Sequence, residues 1–107
     1  FLMDSNRLME VVQRVNSPWF AVNLDSGNFA DKDVYQAFEK VAPYAATVQL
    51  KVSVRNPSGI KVPADLSRFI KILKKTSYRG YVVLEYEAAE DPFRAMPKYL
   101  KQLRELL

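Results

Sequence analysis

The sequence predicts an α/β fold: a leading helix and then about three strand–helix units of a (β/α) barrel. Three observations lead there. Helical and extended apolar patterns alternate along the whole chain. No linker, internal repeat or biased stretch divides the 107 residues, so 1–107 reads as one partial domain. Each extended segment also carries polar residues on one face near its C-terminal end, which a parallel sheet covered on both faces would not bury.

The elements follow in order. Asp4 or Ser5 caps a first helix, in which Leu8, Val11, Val12 and Val15 recur at helical spacing. Asn16-Ser17-Pro18 ends it. Trp19-Phe20-Ala21-Val22-Asn23-Leu24 is aromatic and β-branched enough for a strand, with a turn at Asp25-Ser26-Gly27-Asn28. Asp31 or Asp33 caps a second helix with Val34, Phe38 and Val41 on its apolar side, and Pro43 stops it. In the next strand Val48, Leu50, Val52 and Val54 face one way, and Thr47, Gln49, Lys51 and Ser53 the other.

Asn56-Pro57-Ser58-Gly59 is a turn, and a loop runs on to Pro63, where a third helix is expected to begin. Its stripe is Leu66, Phe69, Ile70 and Leu73. Gly80 precedes a strand from Tyr81 to Glu87. Asp91 with Pro92 opens a last helix carrying Phe93, Met96, Leu100, Leu103 and Leu107. Pro97 then either kinks that helix or moves its start to about Ala95.

Strands alternating with helices are parallel and joined by right-handed crossovers. Asn23, Asp25, Gln49, Lys51, Glu85 and Glu87 then share one face, where a (β/α) barrel gathers its active site at the C-terminal strand ends. Three strands cannot close a barrel, and the sequence starts at Phe1 rather than Met. The expectation is a piece of a larger barrel, or a unit that associates with itself through open strand edges.

Composition narrows the chemistry. Apolar residues make up 49% and charged residues 26%, which excludes disordered and low-complexity chains. The formal charge is +4, but no concentrated basic stripe with interleaved aromatics is present, so no nucleic-acid partner is expected. No apolar run approaches the roughly 18 residues of a membrane span, and no charged segment leads into an apolar signal core. The absence of Cys suits the cytoplasm, which is the expected location. With neither His nor Cys in the chain, Ser-His-Asp triads, Cys nucleophiles and imidazole or thiolate zinc sites are excluded within it. A metal would be held by oxygen, favouring Mg or Mn, and acid–base work falls to Asp, Glu, Lys or Tyr.

Three stretches, Phe20-Ala-Val-Asn-Leu-Asp25-Ser-Gly-Asn28, Val48-Gln-Leu-Lys51 and Gly80-Tyr-Val-Val-Leu-Glu85-Tyr-Glu87, carry a resemblance. In their order and spacing the chain resembles the C-terminal part, strands six to eight, of a sugar phosphate isomerase/epimerase of the xylose-isomerase-like TIM-barrel family. Each stretch alone is a weak signal, and the ordered set covers nearly the whole chain. The resemblance implies one divalent metal at the barrel mouth, held by Glu, Asp, His and Glu from strands five to eight. It carries the Asp onto Asp25 and the last Glu onto Glu85, which would also move the proton beside the sugar carbonyl. Arg55, six positions after Gln49, matches an arginine that holds substrate oxygens.

Two departures stand out. Gln49 occupies the histidine position and binds a hard metal more weakly. The strand-five glutamate has no counterpart in these residues, so the chain alone is expected not to catalyse.

The site expected is therefore Glu85 as catalytic residue, Asp25, Gln49 and Glu85 as metal ligands, and Asn28, Lys51, Arg55 and Glu87 at the substrate. Bland readings stand beside these. Asp25 also fits ordinary turn chemistry, Asn28 loop shaping, and Gln49 and Lys51 the wet side of an edge strand. Glu87 also fits a solvated strand end. Glu85 resists such a reading, because it follows Val82-Val83-Leu84, where an unpaired carboxylate is costly. Tyr86 points away and packs. The expected activity is proton transfer next to the carbonyl of a small sugar or sugar phosphate. The alternative is a non-catalytic carbohydrate-binding or structural barrel that has lost the metal histidine.

Overall fold

A computed structural model describes residues 3–107. Helix α1 is Ser5–Val15, α2 Val34–Val41, α3 Leu66–Lys75 and α4 Pro92–Leu106. The strands are β1 Val22–Asp25, β2 Ala45–Lys51, β3 Ser53–Arg55, β4 Lys61–Pro63 and β5 Val82–Glu85. The main sheet is parallel in the order β1-β2-β5. That is the mixed α/β arrangement with a parallel sheet that the alternating pattern predicts.

Caps set the helix starts. Asp4 accepts from the Asn6 and Arg7 amides, and Asp33 from those of Tyr35 and Gln36. Asp31 has a different task. Its carboxylate takes the Ser5 amide and hydroxyl, tying the start of α1 to the loop before α2. Replacing Asp33 with Ala is expected to cost about 1 kcal/mol, read as a lower urea midpoint with an unchanged m-value.

The core lies between the helices and one face of the sheet. Leu24, Val48 and Leu50 from the strands meet Phe38, Val41, Phe69 and Ile70 from α2 and α3, all essentially without solvent contact. The Phe69 ring sits 4.6 Å from Tyr35 and 4.7 Å from Phe38, centroid to centroid. The Arg68 guanidinium lies 4.3 Å over the outer Tyr35 ring.

Four expectations need correction. Trp19 and Phe20 are not strand, because the Phe20 amide turns back onto the Ser17 carbonyl, and Trp19 is 95% exposed. The second strand does not run on to Val54. It stops at Lys51, and β3 then pairs antiparallel with β4 in place of the expected loop to Pro63. Asn56 shapes that hairpin by accepting from the Ser58 and Ile60 amides, with Gly59 at φ 78°. The third helix therefore starts at Leu66, capped by Asp65. The third strand is likewise shorter, ending at Glu85.

Helix α4 starts at Pro92 under the Asp91 cap and carries Pro97 inside it. Proline there removes the amide that would reach the Phe93 carbonyl, and both residues are exposed, leaving that carbonyl open to water. The expected apolar stripe of α4 is largely uncovered. Phe93 is 92% exposed, Leu100 and Leu107 are also open, and only Ala95 and Leu103 are buried. The helix packs on α3 and β5 at one end of the sheet, and none of the described residues covers its far side.

Candidate functional site

The parallel register decides which side chains meet. Asp25 pairs with Gln49, Gln49 with Val83, and Lys51 with Glu85. Successive side chains alternate faces, so Asp25, Gln49, Lys51 and Glu85 all stand on the face opposite the apolar core. The C-terminal strand ends thereby converge on one place.

Lys51 stands at its centre. Its Nζ lies 3.1 Å from Glu87 Oε2, 3.4 Å from Glu85 Oε1 and 3.8 Å from Asp25 Oδ2. The residue is only 9% exposed, unusual for lysine without partners of this kind. Burial pushes the ammonium pKa down. The Glu87 hydrogen bond and the charges of Asp25 and Glu85 outweigh that, holding it above its ordinary value. The Lys51 hydrogen bond and charge in turn hold Glu87 below the usual carboxylate range.

The loop after β1 is built to receive this lysine. Asp25 is fixed by the Gly27 amide at 2.8 Å on Oδ1 and the Asn28 side-chain amide at 2.7 Å on Oδ2. Ser26 is fully buried; its amide donates to the Gln49 carbonyl and its Oγ accepts from the Lys51 amide. Gly27 leaves room for the lysine stem, since a Cβ there would fall 2.4 Å from Lys51 Cδ. From the hairpin, Lys61 Nζ reaches the Glu87 carbonyl at 2.6 Å.

Of the residues singled out from the sequence, Asp25, Lys51, Glu85 and Glu87 come together, and Asn28 supports Asp25. Gln49 is adjacent in register, but its side-chain oxygen accepts from Asn23 Nδ2 at 3.3 Å. Arg55 donates to the Gly59 carbonyl inside its own hairpin rather than to the strand-end carboxylates. Ser26, Gly27 and Lys61 carry no sequence signal beyond turn chemistry, and their roles emerge only from the register and the hairpin.

The arrangement does not fit a divalent ion. Among the described residues no group of three His, Cys, Asp or Glu side chains is set to hold a metal. The ammonium already lies between Asp25 and Glu85. Unit charges about 4 Å apart repel by about 4 kcal/mol near a protein surface, and a divalent ion there would meet twice that.

The ion pairs imply a pH profile. Glu87, with its pKa lowered from 4.5, contributes stability present above that value and lost as pH falls through the lowered one. Lys51, with its pKa raised from 10.5, contributes stability present below that value and lost as pH rises through the raised one. The cluster is therefore expected at full strength from about pH 5 to about pH 10. Urea midpoints across pH check this, and Glu87→Gln should flatten the acid limb.

A family model described as xylose isomerase-like TIM barrel matches residues 2–104. The chain belongs to that family. Its parallel sheet, with polar side chains gathered at the C-terminal strand ends, is the local arrangement that such a barrel repeats. Membership supports a fold of the sugar isomerase/epimerase kind. No curated protein matches the chain. Among the described residues no helix is long and apolar enough to cross a membrane.

Proposed function

We propose that the chain supplies strands six to eight of a barrel that isomerises or epimerises a small sugar or sugar phosphate. The observation that carries this reading is the convergence of Asp25, Lys51, Glu85 and Glu87 from three parallel strands at the end where barrels of this kind place their chemistry. In it, Glu85 takes the proton from the carbon beside the sugar carbonyl. The C–H electron pair becomes the new carbon–carbon double bond, the carbonyl pair moves onto oxygen, and return of the proton completes the exchange. Asp25 and Glu87 accept hydrogen bonds from sugar hydroxyls, the contacts that position the reacting carbon.

The chain alone is proposed to bind without turning over. Both edges of the three-stranded sheet lack further strands among the described residues, and Tyr81 and Val83 on the inward face are open to solvent. Further strands would close that face and supply a second proton-transfer group opposite Glu85.

A second reading, a carbohydrate-binding barrel without catalysis, is favoured by one feature. Lys51 lies within ion-pairing distance of all three carboxylates, so none of them is left an unengaged base. One titration serves both readings. Backbone amide NMR of the chain with a panel of aldoses, ketoses and their phosphates is expected to shift residues 25–28, 51 and 85–87. Shifts confined elsewhere, or none, would sink both readings. Solvent-deuterium incorporation beside the carbonyl, abolished by Glu85→Gln once the barrel is completed, separates catalysis from binding.

A further inference from the structure

We propose that the Lys51 ammonium is the built-in cation of the strand-end centre, standing in place of a divalent metal and receiving the negative charge that develops on a substrate oxygen. The protein is shaped around this side chain at three independent points. Its amide is held by the buried Ser26 hydroxyl, its stem lies over the missing Cβ of Gly27, and its head lies among carboxylates from two other strand ends. A lysine on the wet side of an edge strand needs none of these.

The ammonium is also not saturated. It carries three N–H groups, and among the described residues only the Glu87 contact, at 3.1 Å, is a full hydrogen bond. Glu85 at 3.4 Å and Asp25 at 3.8 Å hold it by charge and leave it able to donate to a further oxygen. A carbonyl oxygen that gains an electron pair as the neighbouring carbon loses its proton is such a partner. The ammonium donates a hydrogen bond to it and keeps its own proton, while Glu85 holds the proton removed from carbon. A metal in that position would polarise the same oxygen, and here the charge comes from the chain itself.

The inference rests on the strand-end cluster being the sugar site, but its test involves no sugar. The chain, Lys51→Met and Gly27→Ala are each titrated with Mn alone, with free Mn read by electron paramagnetic resonance. The unaltered chain is expected to leave millimolar Mn free. Lys51→Met should take up one Mn per chain at least roughly tenfold more tightly, since the carboxylates lose their resident cation. Gly27→Ala keeps the lysine but displaces its stem, and should fall between the two. If Lys51→Met is unfolded without metal, recovery of its circular dichroism on adding Mn gives the same support, and Gly27→Ala carries the comparison in a chain that retains every charge. Stoichiometric Mn binding by the unaltered chain, equal to that of the variants, overturns the proposal. So does failure of both variants to bind, because the ammonium would then occupy no cation site. A failed sugar reading shows instead as absent amide shifts in the sugar titration, whatever the Mn result.

Discussion

Replacing Lys51 with Met is expected to destabilise the chain by about 2 kcal/mol, lowering its melting temperature by roughly 8–16 °C. Methionine fills much of the space of the lysine stem, so the loss isolates the charge. Breaking a buried ion pair costs about 3–5 kcal/mol, chiefly by stranding the remaining charge. Here the stranded group is Asp25, with only 10% of its side chain exposed. Two features reduce the figure. Asp25 keeps its hydrogen bonds from Gly27 and Asn28, and Glu85 and Glu87 are wet enough to be screened. Urea denaturation of both proteins at neutral pH reads the difference. Repeating it as pH falls through the lowered Glu87 value, where the Glu87–Lys51 attraction is lost, should shrink the gap.

Phe69→Ala is expected to do more, costing about 3–5 kcal/mol and leaving little cooperative unfolding to measure. The ring is fully buried at the junction of α2, α3 and the sheet, and it meets Tyr35 and Phe38 in tilted contacts at interplanar angles of 34° and 57°. A chain of 107 residues holds only about 5–16 kcal/mol in all. The open inward face of the sheet places this one toward the low end. Phe93→Ala is the control. That ring is exposed on α4, and its removal should change stability by no more than about 0.5 kcal/mol. Far-ultraviolet circular dichroism against urea distinguishes the two variants directly.

The two phenylalanines also show how far the sequence could be read. Both sit on regular apolar stripes, and periodicity identifies the stripe without saying what covers it. For Phe69 the sheet does; for Phe93 no described residue does. The starts of α2 and α4 were legible because Asp33 and Asp91-Pro92 carry their own capping chemistry, whereas α3, expected from Pro63, begins at Leu66 under Asp65. The β3–β4 hairpin was not, because the alternation from Val48 to Val54 continues unbroken through the bend at Val52. Its returning strand is also three residues long and ends in proline.

The site shows the same division. Alternation alone put Asp25, Gln49, Lys51 and Glu85 on one face. Which of them touch depends on the register, which sets Lys51 beside Glu85 and Gln49 beside Asp25. A lysine side chain, four carbons and a terminal nitrogen long, can cross that spacing to reach all three carboxylates, whereas glutamine is met first by Asn23. Long-range pairing and side-chain reach are not properties of any local window, and so the central place of Lys51 had to come from the fold.

The claim that these residues act as one unit is tested most directly by a double-mutant cycle on stability, pairing Lys51→Met with Asp25→Asn. Removing the Asp25 charge removes most of the reason that losing Lys51 is costly. In the Asp25→Asn background, Lys51→Met is therefore expected to cost about 1–2 kcal/mol less than it does alone. Equal costs in both backgrounds would show that the ammonium and the β1 carboxylate do not interact, and the strand-end centre described here would not exist as a unit.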